Sequence, residues 1–227
     1  MSNQRLMVSL LAALAAMSWL GAETHAQGRG RGFGGFGGAE GIRMRLLGID
    51  KVREALNLSD EQKPELTKVT TTYREEMQGF FGGLQNLSQE ERAKKFAEID
   101  EKTKANWEKC EKILTSEQVE RVKQISRQAR GANALDDEDV KLALKLSDDQ
   151  KKQLETIREA AGQEMRAAFQ QAAGDRDAAR KKATEIRKSA GEKALAVLSD
   201  EQKNEFKNLQ GEKIELPEDA LFGPPRR

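Results

Sequence analysis

"VREALNLSDEQKPELTKV" occupies residues 52–69, and "VKLALKLSDDQKKQLETI", residues 140–157, lies over it at an offset of 88. Val52 meets Val140, Leu56 meets Leu144, Leu66 meets Leu154, and further on Met77 meets Met165 and Phe81 meets Phe169. Each copy contains a five-residue word, LSDEQ at 58–62 and LSDDQ at 146–150, which returns as LTSEQ at 114–118 and LSDEQ at 198–202. In each word the Ser or Thr is a strong helix N-cap and the Gln three residues later is its capping-box partner. Leu58-Ser59…Gln62, Leu114-Thr115…Gln118, Leu146-Ser147…Gln150 and Leu198-Ser199…Gln202 therefore each satisfy two backbone N–H groups that a helix start leaves orphaned. The acidic residues between cap and Gln favour the positive end of the helix dipole, and the Leu before the cap packs the incoming chain against the helix. Four words mark four helix starts.

The second members of the two pairs match at an offset of 84, with Ile113-Leu114 on Val197-Leu198, Val122 on Phe206 and Ile125 on Leu209. Repetition at this length predicts one helical unit written twice. Leu66, Val69, Tyr73, Met77 and Phe80 step by three or four residues, as do Phe96, Ile99, Thr103, Trp107, Cys110 and Leu114, and Leu154, Ile157, Ala161, Met165, Ala168 and Ala172. Such steps put one narrow apolar stripe on each helix, and no comparable run has period two. The fold class is all-α, without a β-sheet, built as two tandem helical hairpin units with long helices and short capping helices. A helix over residues 60–81 spans about 33 Å at the standard rise. Gly82-Gly83, Gly131, Gly174 and Gly211 punctuate the helices, Ser88 with Glu91 restarts one, and Pro64 loosens the start after the first word. The first unit runs over 42–131 and the second over 132–211.

The ends read differently. Arg5, the apolar run Leu6–Leu20 and Thr24-His25-Ala26 have the layout of a secretory signal peptide over residues 1–26, so the expected location is periplasmic or secreted. Residues 27–41, mostly glycine, read as a disordered linker, and 212–227, with three of the four prolines, as a tail. Basic and acidic side chains nearly cancel, 39 against 38, which argues against nucleic acid as a partner. The only histidine, His25, falls in the signal peptide, and the only cysteine, Cys110, lies on an apolar stripe. A core position suits Cys110, with an interchain disulfide the alternative. The usual base, nucleophile and metal-ligand sets cannot be assembled, so neither an enzyme nor a cofactor is expected. "DDED" at 136–139 lacks the spacing of a calcium loop and reads as helix-start acidity.

The paired words, the export signal and the helix pattern resemble the LTxxQ-motif family of Spy/CpxP-like periplasmic chaperones, over roughly residues 46–211. Three of the four words carry Ser where the family has Thr, and the chain is neutral where the family's cradle is basic. The resemblance implies bent helical hairpins forming a shallow cradle that holds unfolded or partly folded envelope proteins without ATP. It also implies that two tandem units form that cradle within one chain, as a monomeric pseudo-dimer, with a homodimer the alternative. The expected client contacts are Met77, Phe80, Phe81, Met165 and Phe169, flexible or aromatic side chains suited to unselective apolar contact. The same five read equally well as core. The alternatives are a stress-response regulatory partner docking on a sensor protein and a structural helical spacer. No membrane span is expected.

Overall fold

The computed structural model describes residues 38–84, 87–172 and 174–216. The signal peptide, the linker up to residue 37 and the tail from 217 onward lie outside the described residues. The elements are α1 (Gly38–Leu46), α2 (Asp50–Ala55), α3 (Gln62–Gly82), α4 (Gln89–Ile113) and α5 (Ser116–Arg130), then a 3-10 turn (Gly131–Asp136). They continue as α6 (Glu138–Ala143), α7 (Asp148–Gln171), α8 (Arg176–Ala196) and α9 (Asp200–Leu209). The fold is all-α, with no strand among the described residues. The long helices pack as two antiparallel pairs, α3 against α4 and α7 against α8.

Caps decide the helix starts. Thr115, Ser147 and Ser199 sit in extended backbone just before α5, α7 and α9, and each closes a complete capping box with its Gln. Ser88 does the same before α4 with Glu91. The first word makes both capping bonds, Ser59 N–H to Gln62 Oε1 at 3.0 Å and Gln62 N–H to Ser59 Oγ at 3.2 Å. Its α-helix nevertheless begins only at Gln62. Pro64 has no N–H to give the Asp60 carbonyl, so the first turn is not closed by helical bonds throughout. Just ahead of the two opening words, Asn57 and Lys145, 88 positions apart, both take left-handed backbone, φ 48 and 50. This ends the short helices α2 and α6 and turns the chain into the word.

The first core is filled by large side chains. Met44, Leu46 and Leu47 from α1 and its exit pack with Leu66, Tyr73 and Met77 of α3, Trp107 and Cys110 of α4, and Val122 and Ile125 of α5. α1 starts at Gly38, so residues 38–41, expected to be linker, are its first turn. Glycine dominates the composition there, yet the burial of Ile42, Met44 and Leu46 a few residues on anchors the helix. At the other end, Ile214 and Leu216, expected in the tail, pack against this first core.

The second pair uses small side chains at matching positions. At the offset of 88, Met44 and Tyr73 become Ala132 and Ala161; at 84, Trp107 and Cys110 become Gly191 and Ala194. A small apolar cavity remains between the 3-10 turn, α7 and α8, lined by Ala132, Leu135, Leu154, Ala161, Ala190 and Gly191 among others. A Cβ on Gly191 would stand 3.6 Å from the Ala132 Cβ, an ordinary contact. Gly191→Ala should therefore stabilise the protein by about 0.5–1 kcal/mol through lower unfolded-chain entropy and better helix propensity. Urea unfolding read by circular dichroism checks this, with the midpoint rising at unchanged slope.

Candidate functional site

The words meet in space. Gln62 Nε2 donates to the Ile113 carbonyl at 2.8 Å and to Gln118 Oε1 at 2.8 Å. Gln118 Nε2 donates to the Leu56 carbonyl at 3.0 Å and back to Gln62 Oε1 at 3.1 Å. Each Oε1 also accepts the N–H of its own capping residue, Ser59 or Thr115. The pattern recurs in the second pair: Gln150 donates to the Val197 carbonyl and Gln202 Oε1, and Gln202 to the Leu144 carbonyl and Gln150 Oε1. Both hydrogens and both lone pairs of every amide are engaged. The carbonyls served, Leu56, Ile113, Leu144 and Val197, lie at the ends of α2, α4, α6 and α8. One amide thus caps the start of its own helix and the end of another.

This explains the choice of Gln. Glu closes an ordinary capping box equally well, as Glu91 does at Ser88, where no second word stands opposite. A carboxylate in a word would bring acceptors only, and two would face each other.

The second assembly of polar groups is a seam of arginines and carboxylates where α1 and α5 meet the 3-10 turn, α6 and α9. Arg127 of α5, 4% exposed, donates to Glu120 and Asp139 at 2.8 Å each and to the Leu209 carbonyl at 2.9 Å. Arg130 holds both oxygens of Asp137, at 2.5 and 2.6 Å. Arg43 lies 3.9 Å from Asp137 and 3.6 Å from Glu40, with its guanidinium 5.4 Å over the Trp107 ring. Arg158 of α7 stands 3.6 Å from Asp136. "DDED" does stand at a helix start, with Asp137 just before α6 and Glu138 and Asp139 in its first turn; Asp137 makes no side-chain cap, and three of the four carboxylates also face arginines. The partners are separated in the sequence but close in space, and spacing alone could not pair them. Among the described residues no group of three or more metal-ligating side chains is found.

Burial pushes the Asp136 carboxyl up, and the nearby Arg158 and Lys141 charges offset this only in part. Burial also raises Asp139, but the hydrogen bond and charge of Arg127 outweigh it and hold the carboxyl below its ordinary value.

The expected client contacts separate. Met77 and Met165 are buried in the two helix pairs and offer no surface; a stripe on one helix reads the same whether its neighbour is core or client. Phe80 is half-buried, edge-on to Phe81 and Phe96. Phe81 and Phe169 remain, 39% and 56% exposed at matching positions near the ends of α3 and α7. Leu142 on α6, which the sequence reading did not single out, is 75% exposed. Cys110 is fully buried 3.7 Å from the Met44 sulfur, and burial pushes its thiol up to about 12, so it is not placed for an interchain disulfide. No described helix is long and apolar enough to cross a membrane.

No family model, curated protein or solved structure matches this chain.

Two outcomes follow from this geometry. Gln118→Glu should destabilise the protein by about 2 kcal/mol, since the Leu56 carbonyl loses its side-chain donor and the new carboxylate faces Gln62 Oε1, whereas Glu91→Gln should be nearly neutral; urea unfolding compares them. For Asp139, whose folded pKa is depressed, the stability it contributes is present above the unfolded carboxylate pKa and is lost as pH falls through the folded one. Asp139→Asn should therefore flatten the loss of stability below about pH 4, measured as thermal midpoint against pH.

Proposed function

We propose that the protein is an exported, ATP-independent chaperone-like binder of non-native proteins, a tandem-unit relative of the LTxxQ-motif proteins it resembles. The observation that carries this reading is the pair Phe81 and Phe169. Two large aromatics stay half-exposed at repeat-related positions near the ends of α3 and α7, while the Met residues one turn earlier are buried. Exposed aromatics at two matching places give a bivalent apolar contact, and bivalence raises avidity for long unfolded chains without demanding any sequence. No conventional catalytic set accompanies them, and the charged faces around them carry both signs, which keeps the binder itself in solution.

A second reading, a regulatory partner docking on a sensor protein, is favoured by Leu142. It is the most exposed large apolar side chain described, and the first copy has Glu54 in its place. A lone apolar knob on one half suits a single specific complex.

The test is light scattering from a chemically denatured client diluted with the full chain at stoichiometric ratio and no nucleotide. The expected result is suppression of aggregation, reduced several-fold by Phe81→Ser with Phe169→Ser, at unchanged unfolding midpoint. Flat aggregation curves across several clients, or suppression indifferent to the double variant, overturn it. A single complex from envelope extract that is lost in Leu142→Glu supports the second reading instead.

A further inference from the structure

The chain leaves α9 through Gly211, at φ +63, and residues 212–216 then run without helix across α5. α5 receives this strap through side chains directed at main chain. The Gln128 amide donates to the carbonyls of Gln210 and Glu212, at 2.6 Å each, and its Oε1 accepts the Ile214 N–H at 3.0 Å. Arg121 donates to the Glu212 carbonyl at 2.8 Å, and Arg127 to that of Leu209 at 2.9 Å. Ile214 and Leu216, two residues apart, pack against the first core, and Glu215 between them reaches only the exposed Lys51, at 3.8 Å.

Every hydrogen bond from α5 to the strap ends on a backbone atom, so the face reads extended conformation and not side-chain identity. Gln128 takes the C=O and N–H flanking one residue, as a neighbouring strand would. Alternate side chains of an extended segment share a face, which fits Ile214 and Leu216 to the core side and leaves Glu215 outward. A folded protein has already paired such backbone groups internally; an unfolded one offers them.

We propose that this face of α5 is a docking site for an extended polypeptide segment with apolar residues two apart, auto-occupied here by residues 211–216. The inference rests on the reading of the protein as a binder of non-native chains and names where such a chain is held. The strap stays in place because its tether supplies an effective concentration on the order of millimolar, not because its contact is large: two partly buried side chains and the main-chain bonds to Gln128 and Arg121. Gly211 is the hinge, since its left-handed backbone strains any residue with a Cβ and an added Cβ would have to displace the Gln124 carboxamide.

The experiment uses the full chain carrying Ile214→Ser and Leu216→Ser, which vacates the site and keeps Gln128. A fluorescein-labelled GEKIEL peptide, with an isomer in which Ile and Leu are adjacent as control, is followed by anisotropy. The variant should bind GEKIEL at least tenfold more tightly than the wild-type chain and the control peptide, and adding Gln128→Ala should remove the gain. Gly211→Ala, which strains the strap at its hinge and leaves every core side chain in the sequence unchanged, should also bind it more tightly than wild type. No binding to either strap variant, binding equal to wild type, or indifference to Gln128→Ala overturns the proposal. Client aggregation measured on the same variants separates the two readings. Peptide binding without suppression leaves the docking site standing and removes the chaperone; suppression without peptide binding does the reverse.

Discussion

A primary amide has two hydrogens and two lone pairs to satisfy, and Gln62 spends all four on Ser59, Gln118 and Ile113. Gln118 does likewise with Thr115, Gln62 and Leu56, so the two amides close the cyclic dimer that carboxamides form in their own crystals. Helix starts and helix ends are where backbone groups go unpaired. Bringing two starts and two ends to one point, and closing all of them through one pair of side chains, ties α2, α3, α4 and α5 together at that point. Gln150 and Gln202 tie α6, α7, α8 and α9 in the same way. Each long helix has one end in a knot; the other ends are set at Gly83, Ser88, Ala172 and Asp175.

Because the knots are built from capping side chains and backbone, they place no demand on the core residues beyond. The two helix pairs exploit that freedom in opposite ways. The first admits α1 and fills its interior with Met44, Tyr73 and Trp107. In the second, the end of α5 and the 3-10 turn take the place of α1, and Ala132, Ala161 and Ala190 leave a small cavity. Leu46 and Leu47 of the first set match Ala134 and Leu135 of the second, all fully buried. Repetition of the frame is therefore compatible with divergence of the filling. Arg127, anchored to Glu120 on its own helix and to Asp139 and the Leu209 carbonyl beyond it, fixes how the second set is carried by the first.

Capping is local, so its letters stand next to one another in the chain; that is why the four helix starts, the all-α class and the positive-φ glycines at Gly131 and Gly211 were legible in the sequence. Pairing is not local. Nothing near residue 62 says that its amide meets residue 118, although the use of Gln in all four words against Glu91 at Ser88 was a signal of it. The same blindness affected DDED, whose arginine partners lie on three other helices, and Met77 and Met165, which needed a neighbouring helix to be recognised as core. For residues 38–41 the error came from composition: glycine counted over a window outweighed the apolar anchor that begins at Ile42.

The surface that remains is small and specific in kind. Phe81 and Phe169 are exposed where the helix pairs are farthest from their knots, and each can be lost without unmaking a cap or a core. The face of α5 under residues 211–216 is the opposite case: it adjoins the seam through Arg127, which holds the end of α9 at Leu209 and the seam at Asp139 at once. Raising the strap leaves Arg127 with its partners, because Leu209 is the last residue of α9 and the ion pairs lie in the seam. Opening there is thus opposed by three hydrogen bonds between α5 and residues 212–214 and by two apolar side chains, and by nothing in the knots. A chain so arranged can expose an extended-peptide face without loosening the frame that presents it.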